Sequence, residues 1–210
     1  MLDVRDIGVV FDGETFFEKL SLHVASAEIV SLVGPSGSGK TTLLRAIAGL
    51  HKLASGAIFV DDRDITKLPT HRRGVGLVFQ DNQLFTHLTV GENIAYSLRV
   101  ARVSKSMREQ RVREMLALVG LDGFASRTTM QLSGGEAKRV AVARSLVADP
   151  RVLLLDEPLT GLDAELQHRL LADISQILRA RKTTVVHVTH DHEEARSFSD
   201  RIVDIRSLSR

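Results

Sequence analysis

The stretch GPSGSGKTT, Gly34 to Thr42, most constrains what this chain can fold into. It sits between an apolar run of strand length, Ile29 to Val33 (IVSLV), and a helical pattern through Leu43, Leu44 and Ile47. Strand, glycine-rich loop and helix in that order form a phosphate cradle: glycines let the backbone wrap an anion, and the helix amino terminus favours its charge. Gly34, Pro35, Ser36, Gly37, Ser38 and Gly39 are the expected loop, with Lys40 as a point charge for the β- and γ-phosphates. Thr41 offers a hydroxyl to Mg2+, and Thr42 is placed to reach the α-phosphate. The expected ligands are therefore the phosphates of a nucleotide and Mg2+.

The rest of the chain supplies the sheet that such a loop needs. Val75 to Phe79 (VGLVF), Val152 to Leu155 (VLLL) and Thr184 to Val188 (TVVHV) are further apolar runs, as parallel strands covered on both faces would be. Leu166, Leu170, Ile174, Ile177 and Leu178 fall on one face of a helix, and Val112, Met115, Leu116 and Val119 on one face of another. Between about Glu92 and Asp149 helical patterns occur without a convincing strand. The expected division is an α/β core over 1–90 and 150–210 and a helical subdomain over 91–149.

VLLLDEP delivers Asp156 to the carboxyl end of a strand, where ligands bind in open α/β sheets. Asp156 can hold Mg2+ through water, and Glu157 suits a general base. A second small-residue helix start, Leu132 to Glu136 (LSGGE), stands upstream of it. One chain thus carries two sets of anion-facing amides.

With the phosphate loop before it and LLLDEP after it, LSGGE resembles the signature of ABC-transporter ATPases, and the resemblance covers essentially the whole chain. It implies a P-loop NTPase (RecA-like) core sheet with helices on both faces, an N-terminal antiparallel β part and a helical insert. It also answers the duplication. In that family two subunits pack head to tail in an ATP-dependent homodimer, and each signature closes over the ATP held by the partner. Ser133 and Gly135 would then contact the γ-phosphate across the interface. Phe11 (VVFDG) falls where the family stacks an aromatic on adenine. Gln80 (VFQDNQLF) matches the glutamine that contacts Mg2+ or the attacking water. Asp163 (LTGLD) matches the interface-crossing loop, and His190 (VTHDHEEA) the histidine that touches the γ-phosphate. Glu157, His190, Gln80 and Lys40 form the implied catalytic set; Thr41, Gln80 and Asp156 form the implied metal set.

Three positions depart from the family pattern. Glu136 stands where Gln is usual. Ala27 stands for a turn glycine before the loop strand, and Asp62 for a glycine after Asp61; the last two suggest altered turns. The chain ends soon after the strand-like Arg201 to Ile205, so control by a C-terminal regulatory domain is not expected within it.

Other classes are weighed on composition. The net charge is only +2, so the sequence pI of about 9.1 is a weak argument for nucleic acid. Aromatics are 4% of the chain, too few for a base-stacking platform. There is no cysteine, hence no disulfide and no cysteine metal site. No apolar run reaches the length of a membrane span and the amino terminus does not read as a signal peptide, which places the protein on the water side of any membrane. The stretch His71 to Val100 and VTHDHEEA are similar to the importer branch. They imply a peripheral subunit on the cytoplasmic face of the inner or plasma membrane, integral-membrane permease partners, an extracytoplasmic solute-binding protein and no nucleic acid. Gln83, Leu84, Phe85, His87 and Leu88 are candidates for the permease contact. An ABC exporter, a cell-division-type ABC ATPase and a soluble ABC ATPase acting on nucleic acid or ribosomes are the alternatives.

Overall fold

The computed structural model describes residues 1–11, 14–161 and 163–208, with the side chains of Phe11 and Glu14 outside that description. In chain order the elements are β1 (Leu2–Phe11), β2 (Glu14–Val24), β3 (Ile29–Val33), α1 (Lys40–Ala48), β4 (Ser55–Val60), β5 (Arg63–Asp64) and β6 (Val75–Val78). Then come α2 (Val90–Val100), α3 (Lys105–Leu118), α4 (Gly134–Leu146), β7 (Val152–Asp156), α5 (Ala164–Ala180), β8 (Thr184–Val188), α6 (His192–Phe198) and β9 (Arg201–Asp204). Packing divides the chain into two units. One is Met1–Leu77, Arg151–Glu157 and Leu178–Arg210; the other is Val78–Pro150 and Pro158–Ile177.

The first unit holds two sheets. One is antiparallel, in the order β2-β1-β4-β5; the other runs β6-β7-β8-β3-β9, with β3 parallel to β8 and β9, and β7 parallel to β8. Every residue of β3, β7 and β8 is buried, which explains why each reads as a mostly apolar run rather than an alternation. Helix α1 buries Leu43, Leu44 and Ile47 in one cluster with Leu20 and Ile58 of the antiparallel sheet and Leu32, Leu154 and Val186 of the parallel one. Each such side chain contributes roughly 1.5–3 kcal/mol by leaving water, so α1 and the loop before it are anchored on both sides.

The far end of α1 is closed by a residue that sequence patterning does not reveal. Arg73 is buried and donates from Nη1 to the carbonyls of Ala46 and Ile47 at 3.1 and 2.9 Å, from Nε to Leu68 O at 2.9 Å, and from Nη2 to Thr66 O at 2.8 Å. Its charge satisfies the carboxyl-terminal carbonyls of the helix. Gly49, the helix cap at φ 84°, leaves the room: a Cβ there would lie 2.4 Å from the Arg73 Nε.

The turns at Ala27 and Asp62 are built on left-handed residues other than glycine. Ala27 adopts φ 62°, with the turn closed by Glu28 N–H donating to Ala25 O at 3.2 Å. Asp61 and Asp62 have φ 47° and 62° between paired Val60 and Arg63, so a two-residue hairpin turn with left-handed central residues is built without glycine.

In the second unit α2, α3 and α4 pack on one another. Val112, Met115, Leu116 and Val119 are buried as the helical spacing predicts, and Leu170, Ile174 and Ile177 of α5 lie beside Val119 and Val142. Asn93 on α2 is fully buried and satisfied: its Oδ1 accepts from Phe85 N–H at 2.8 Å, and its Nδ2 donates to the carbonyls of Phe85, Leu88 and Thr89. Phe85 also packs on Tyr96, with ring centroids 4.6 Å apart. Of the residues expected to contact a permease, Phe85 is thus a packing residue of this unit, while Gln83 and His87 are exposed. Among the described residues no helix is long and apolar enough to cross a membrane.

Candidate functional site

β3 delivers the glycine-rich loop, and α1 begins at Lys40 directly after it. Gly37 and Gly39 have φ 78° and 88°; a Cβ at Gly39 would lie 2.5 Å from the Phe17 ring, whereas at Gly37 it would meet nothing within 4 Å. Gly39 is therefore required by both conformation and packing, and Gly37 by conformation alone. The first intrahelical bond of α1 is Leu43 N–H to Gly39 O at 2.8 Å, and no side chain caps the helix. By contrast Thr89, Ser104, Ser133 and Asp191 cap α2, α3, α4 and α6. The amides that open α1 have been left for an external acceptor.

Two further observations fit a bound phosphate chain. Lys40 is buried, and its Nζ donates to Gly34 O at 2.8 Å and Pro35 O at 3.0 Å, so its charge is held against the loop. The Ser38 hydroxyl is buried and has no hydrogen-bond partner, which a phosphate oxygen would satisfy.

The carboxyl ends of β7 and β8 complete this side. Thr41 Oγ1 donates to Asp156 Oδ1 at 3.0 Å, joining the loop to the end of β7. Burial pushes the Asp156 carboxyl above its ordinary range; the Thr41 hydrogen bond and the charges of Arg45 and Lys40 oppose this without reversing it. No group of three His, Cys, Asp or Glu side chains that could hold a metal occurs among the described residues. Thr41 and Asp156 instead suit Mg2+, which keeps waters and takes substrate phosphate oxygens beside one or two carboxylates. Glu157 follows at φ 44°, a left-handed conformation that costs a non-glycine residue roughly 1–3 kcal/mol and is maintained by surrounding structure. Its N–H donates to Val188 O at 3.0 Å, and its Oε2 lies 3.4 Å from His190 Nδ1. The structure thus brings together Lys40, Thr41 and Asp156, and separately Glu157 and His190.

Gln80, Ser133, Gly135 and Asp163 belong to the second unit. Gln80 is exposed, two residues beyond β6. Asp163 starts α5, its Oδ1 accepting from Leu166 N–H at 2.9 Å. Ser133 caps α4 in a reciprocal box: its Oγ accepts from Glu136 N–H at 3.3 Å, and Glu136 Oε2 accepts from Ser133 N–H at 2.7 Å. Capping uses an acceptor of the Ser133 hydroxyl and leaves its proton available to a phosphate. The same bond from the Ser133 amide is the leading reason that the Glu136 carboxyl is lowered below its usual range, so Glu136 places a negative charge at this helix start. The side chain of Phe11 lies outside the described residues; its backbone ends β1.

Two residues in the second unit hold these loops and were not anticipated. Arg144 on α4 donates to the carbonyls of Asn82 and Gln83 at 2.8 and 2.7 Å; both of those residues have positive φ, at 59° and 41°. Lys138 on α4 is buried and bonds the Thr160 carbonyl, just before the Asp163 turn. Lysine and arginine on a helix read as solvated in sequence, and no spacing marks them as loop clamps.

A strand, an uncapped glycine-rich loop, a buried lysine and a threonine–aspartate pair at the sheet's carboxyl end define a P-loop mononucleotide-binding protein. The sequence profile of the ABC transporter family matches residues 17–160. The chain belongs to that family. It is 47% identical over 207 residues to the Fe(3+) ions import ATP-binding protein FbpC of Streptomyces avermitilis, covering 99% of this chain and 60% of that one. It is 45% identical to the spermidine/putrescine import ATP-binding protein PotA of Spiroplasma citri, covering 97% and 58%. The chain thus spans about 60% of the length of these curated relatives. Among solved structures it is similar to the dimeric structure of MJ0796, a bacterial ABC transporter cassette, with a TM-score of 0.87, 32% identity and coverage of 97% of this chain and 94% of that one. The same cassette in a dimeric post-hydrolysis state bound to ADP and Pi gives a TM-score of 0.86.

Proposed function

We propose that this chain is the ATP-hydrolysing subunit of a membrane importer, working as a head-to-tail homodimer around two ATP molecules. The observation that carries the reading is the cluster at the carboxyl ends of β3, β7 and β8, where Thr41 meets Asp156 at 3.0 Å and Glu157 meets His190 at 3.4 Å. Phosphoryl transfer needs positioning and charge neutralisation more than covalent chemistry. Gly34, Pro35, Ser36, Gly37, Ser38 and Gly39 wrap the phosphates, Lys40 neutralises the terminal ones, and Thr42 serves the α-phosphate. Thr41 and Asp156, with Gln80, would hold Mg2+, which would supply neutralising charge to the phosphates. Glu157 orients the attacking water and takes its proton, and His190 fixes the Glu157 carboxylate and the γ-phosphate. Phe11 stacks on adenine. Ser133 and Gly135 of one subunit donate to the γ-phosphate held by the other, and Asp163 lies at their interface. Losing the γ-phosphate removes these cross-interface contacts, so hydrolysis opens the dimer.

The partners are integral-membrane permease subunits supplied by a solute-binding protein, and the chain works peripherally at the cytoplasmic face. A groove in the helical unit, lined by Thr89, Glu92, Arg99, Lys105, Glu109 and Arg113 among others, includes none of Gln83, Leu84, Phe85, His87 and Leu88, the residues proposed for the permease contact. The subdomain assignment, core over 1–90 and 150–210 and helical insert over 91–149, belongs to the same reading. Relatives named for a metal ion, for polyamines and for 2-aminoethylphosphonate share 44–47% identity with this chain, which supports a cargo chosen by the permease rather than by the cassette.

Glu157→Gln tests the chemistry. It keeps the shape and removes the base, so ATP binding persists while hydrolysis falls by about 10²-fold or more, and a closed ATP-bound dimer accumulates. Steady-state turnover and size-exclusion chromatography with ATP read both effects. Wild-type turnover would remove Glu157 from the mechanism.

A further inference from the structure

Beside the candidate site, β8 and α6 bury a polar chain that the mechanism above does not use. Ser31 and His187 are fully buried and Glu194 is 7% exposed. His187 Nδ1 lies 3.0 Å from Ser31 Oγ. His187 Nε2 lies 3.2 Å from Glu194 Oε1, within ion-pair distance but too poorly aligned for a hydrogen bond. The other carboxylate oxygen, Oε2, accepts from the Thr189 hydroxyl at 2.7 Å. That same Thr189 oxygen accepts from the Asp191 N–H at 3.1 Å, and the Thr189 N–H donates to Leu32 O at 3.3 Å. The residues on either side of His190 are thus tied to one buried carboxylate. The His190 side chain itself is 63% exposed and turns to Glu157.

Burial alone would raise the Glu194 carboxyl; the neighbouring His187 ring and the Thr189 hydroxyl outweigh it and hold the group below its usual range. Glu194 is therefore a buried carboxylate, and Nε2, facing it, carries the ring proton. A well-packed apolar pair would serve stability as well as a buried ionisable pair does. What the polar chain adds is direction: two oxygens and a hydroxyl fix the backbone of Thr189 and Asp191 to hydrogen-bond tolerance.

We propose that Glu194, Thr189 and His187 are positioning residues for ATP hydrolysis, fixing the direction in which His190 leaves the backbone and hence its contact with Glu157. The inference rests on the reading of His190 and Glu157 as catalytic.

Glu194→Ala and Thr189→Val should each lower kcat about tenfold or more, the scale of a misplaced catalytic group, with KM for ATP changed less than about twofold because the P-loop is untouched. Glu194→Gln should restore most of that loss. Its amide oxygen still accepts from Thr189, and its NH2 can donate to Nε2 once the His187 proton moves to Nδ1. The decisive measurement is the residual hydrolysis of His190→Ala, followed by radiolabelled phosphate release. In that background Thr189→Val should cause no further loss, since a positioning effect needs the positioned group. A merely structural role would lower it again. Unchanged kcat in Thr189→Val, or an equal loss with and without His190, overturns the proposal. Thr189→Val preserves volume, so the test stands if Glu194→Ala does not fold. If His190→Ala itself hydrolyses ATP normally, the catalytic reading of His190 fails instead.

Discussion

At the residue scale the candidate site spends stability on charge. Asp156 is 5% exposed, at the end of a strand with no exposed residue, and its carboxyl is held above the usual range by burial. An acid whose folded pKa exceeds its unfolded value binds its proton more tightly when folded, so its ionisation subtracts stability at neutral pH. That penalty fades as the pH falls through the raised folded pKa. Asp156→Asn keeps an acceptor for the Thr41 hydroxyl and removes the charge. It should raise the unfolding free energy of the nucleotide-free protein at pH 7 by about 1 kcal/mol, the usual scale of such gains, and abolish Mg2+-dependent hydrolysis. Urea titrations of both proteins at stepped pH should show the gap closing on acidification. A wild type more stable than Asp156→Asn at pH 7 would mean that the Thr41 and Lys40 interactions outweigh burial. Asp156 was legible in the sequence because four apolar residues deliver it to a strand end. His187 and Glu194 were not: a histidine inside TVVHV and a glutamate in HDHEEA carry no periodic mark of burial, and only the strand order places Ser31 and Thr189 around them.

At the element scale, legibility followed burial. β3, β7 and β8 stand out as apolar runs because both faces are covered, and they fall at 29–33, 152–156 and 184–188. β1 and β2 mix exposed and buried positions, and the β1–β2 ladder has register shifts after Val4, Ile7 and Val9, so no steady alternation marks their spans. Turns were less legible for a different reason. Residue type states what a turn tolerates, not what a surrounding sheet can enforce. Pairing of β4 with β5 holds Asp61 and Asp62 left-handed, and Asp61 is further fixed by the Met1 ammonium at 2.7 Å and Arg151 at 2.9 Å. A side chain in that region costs about 1–2 kcal/mol that glycine avoids, offset in part by the entropy glycine gains on unfolding. Asp62→Gly should therefore stabilise by up to about 1 kcal/mol and raise Tm, whereas Asp62→Val should lower it. Thermal melts of the three proteins decide this, and a lower Tm for the glycine variant would show that the left-handed turn is not what the folded chain holds.

At the scale of the whole molecule, the proposed function has to account for two glycine-bearing helix starts, α1 after the glycine-rich loop and α4 at Ser133. The proposed head-to-tail pair assigns them to different nucleotides, which makes mixed dimers informative. Ser133→Arg leaves its own loop untouched, so monomeric ATP binding should survive while ATP-dependent dimerisation and hydrolysis are lost. Lys40→Ala damages the loop and leaves the signature. In a mixed dimer the intact loop of the Ser133→Arg subunit faces the intact signature of the Lys40→Ala subunit, so one complete composite site exists; the other site is damaged twice. Random pairing of equal amounts makes half the dimers mixed, each with one of two sites, so mixing should restore at most about a quarter of wild-type hydrolysis in a two-fold symmetric assembly. Trapped nucleotide provides the second reading, because one ATP should be occluded per mixed dimer even where turnover needs both sites. If each chain applied its own signature to its own nucleotide, every subunit would be defective and mixing would restore neither quantity. Differently tagged subunits that co-purify as mixed dimers, yet hydrolyse nothing and occlude no ATP, would therefore rule out sharing across the interface.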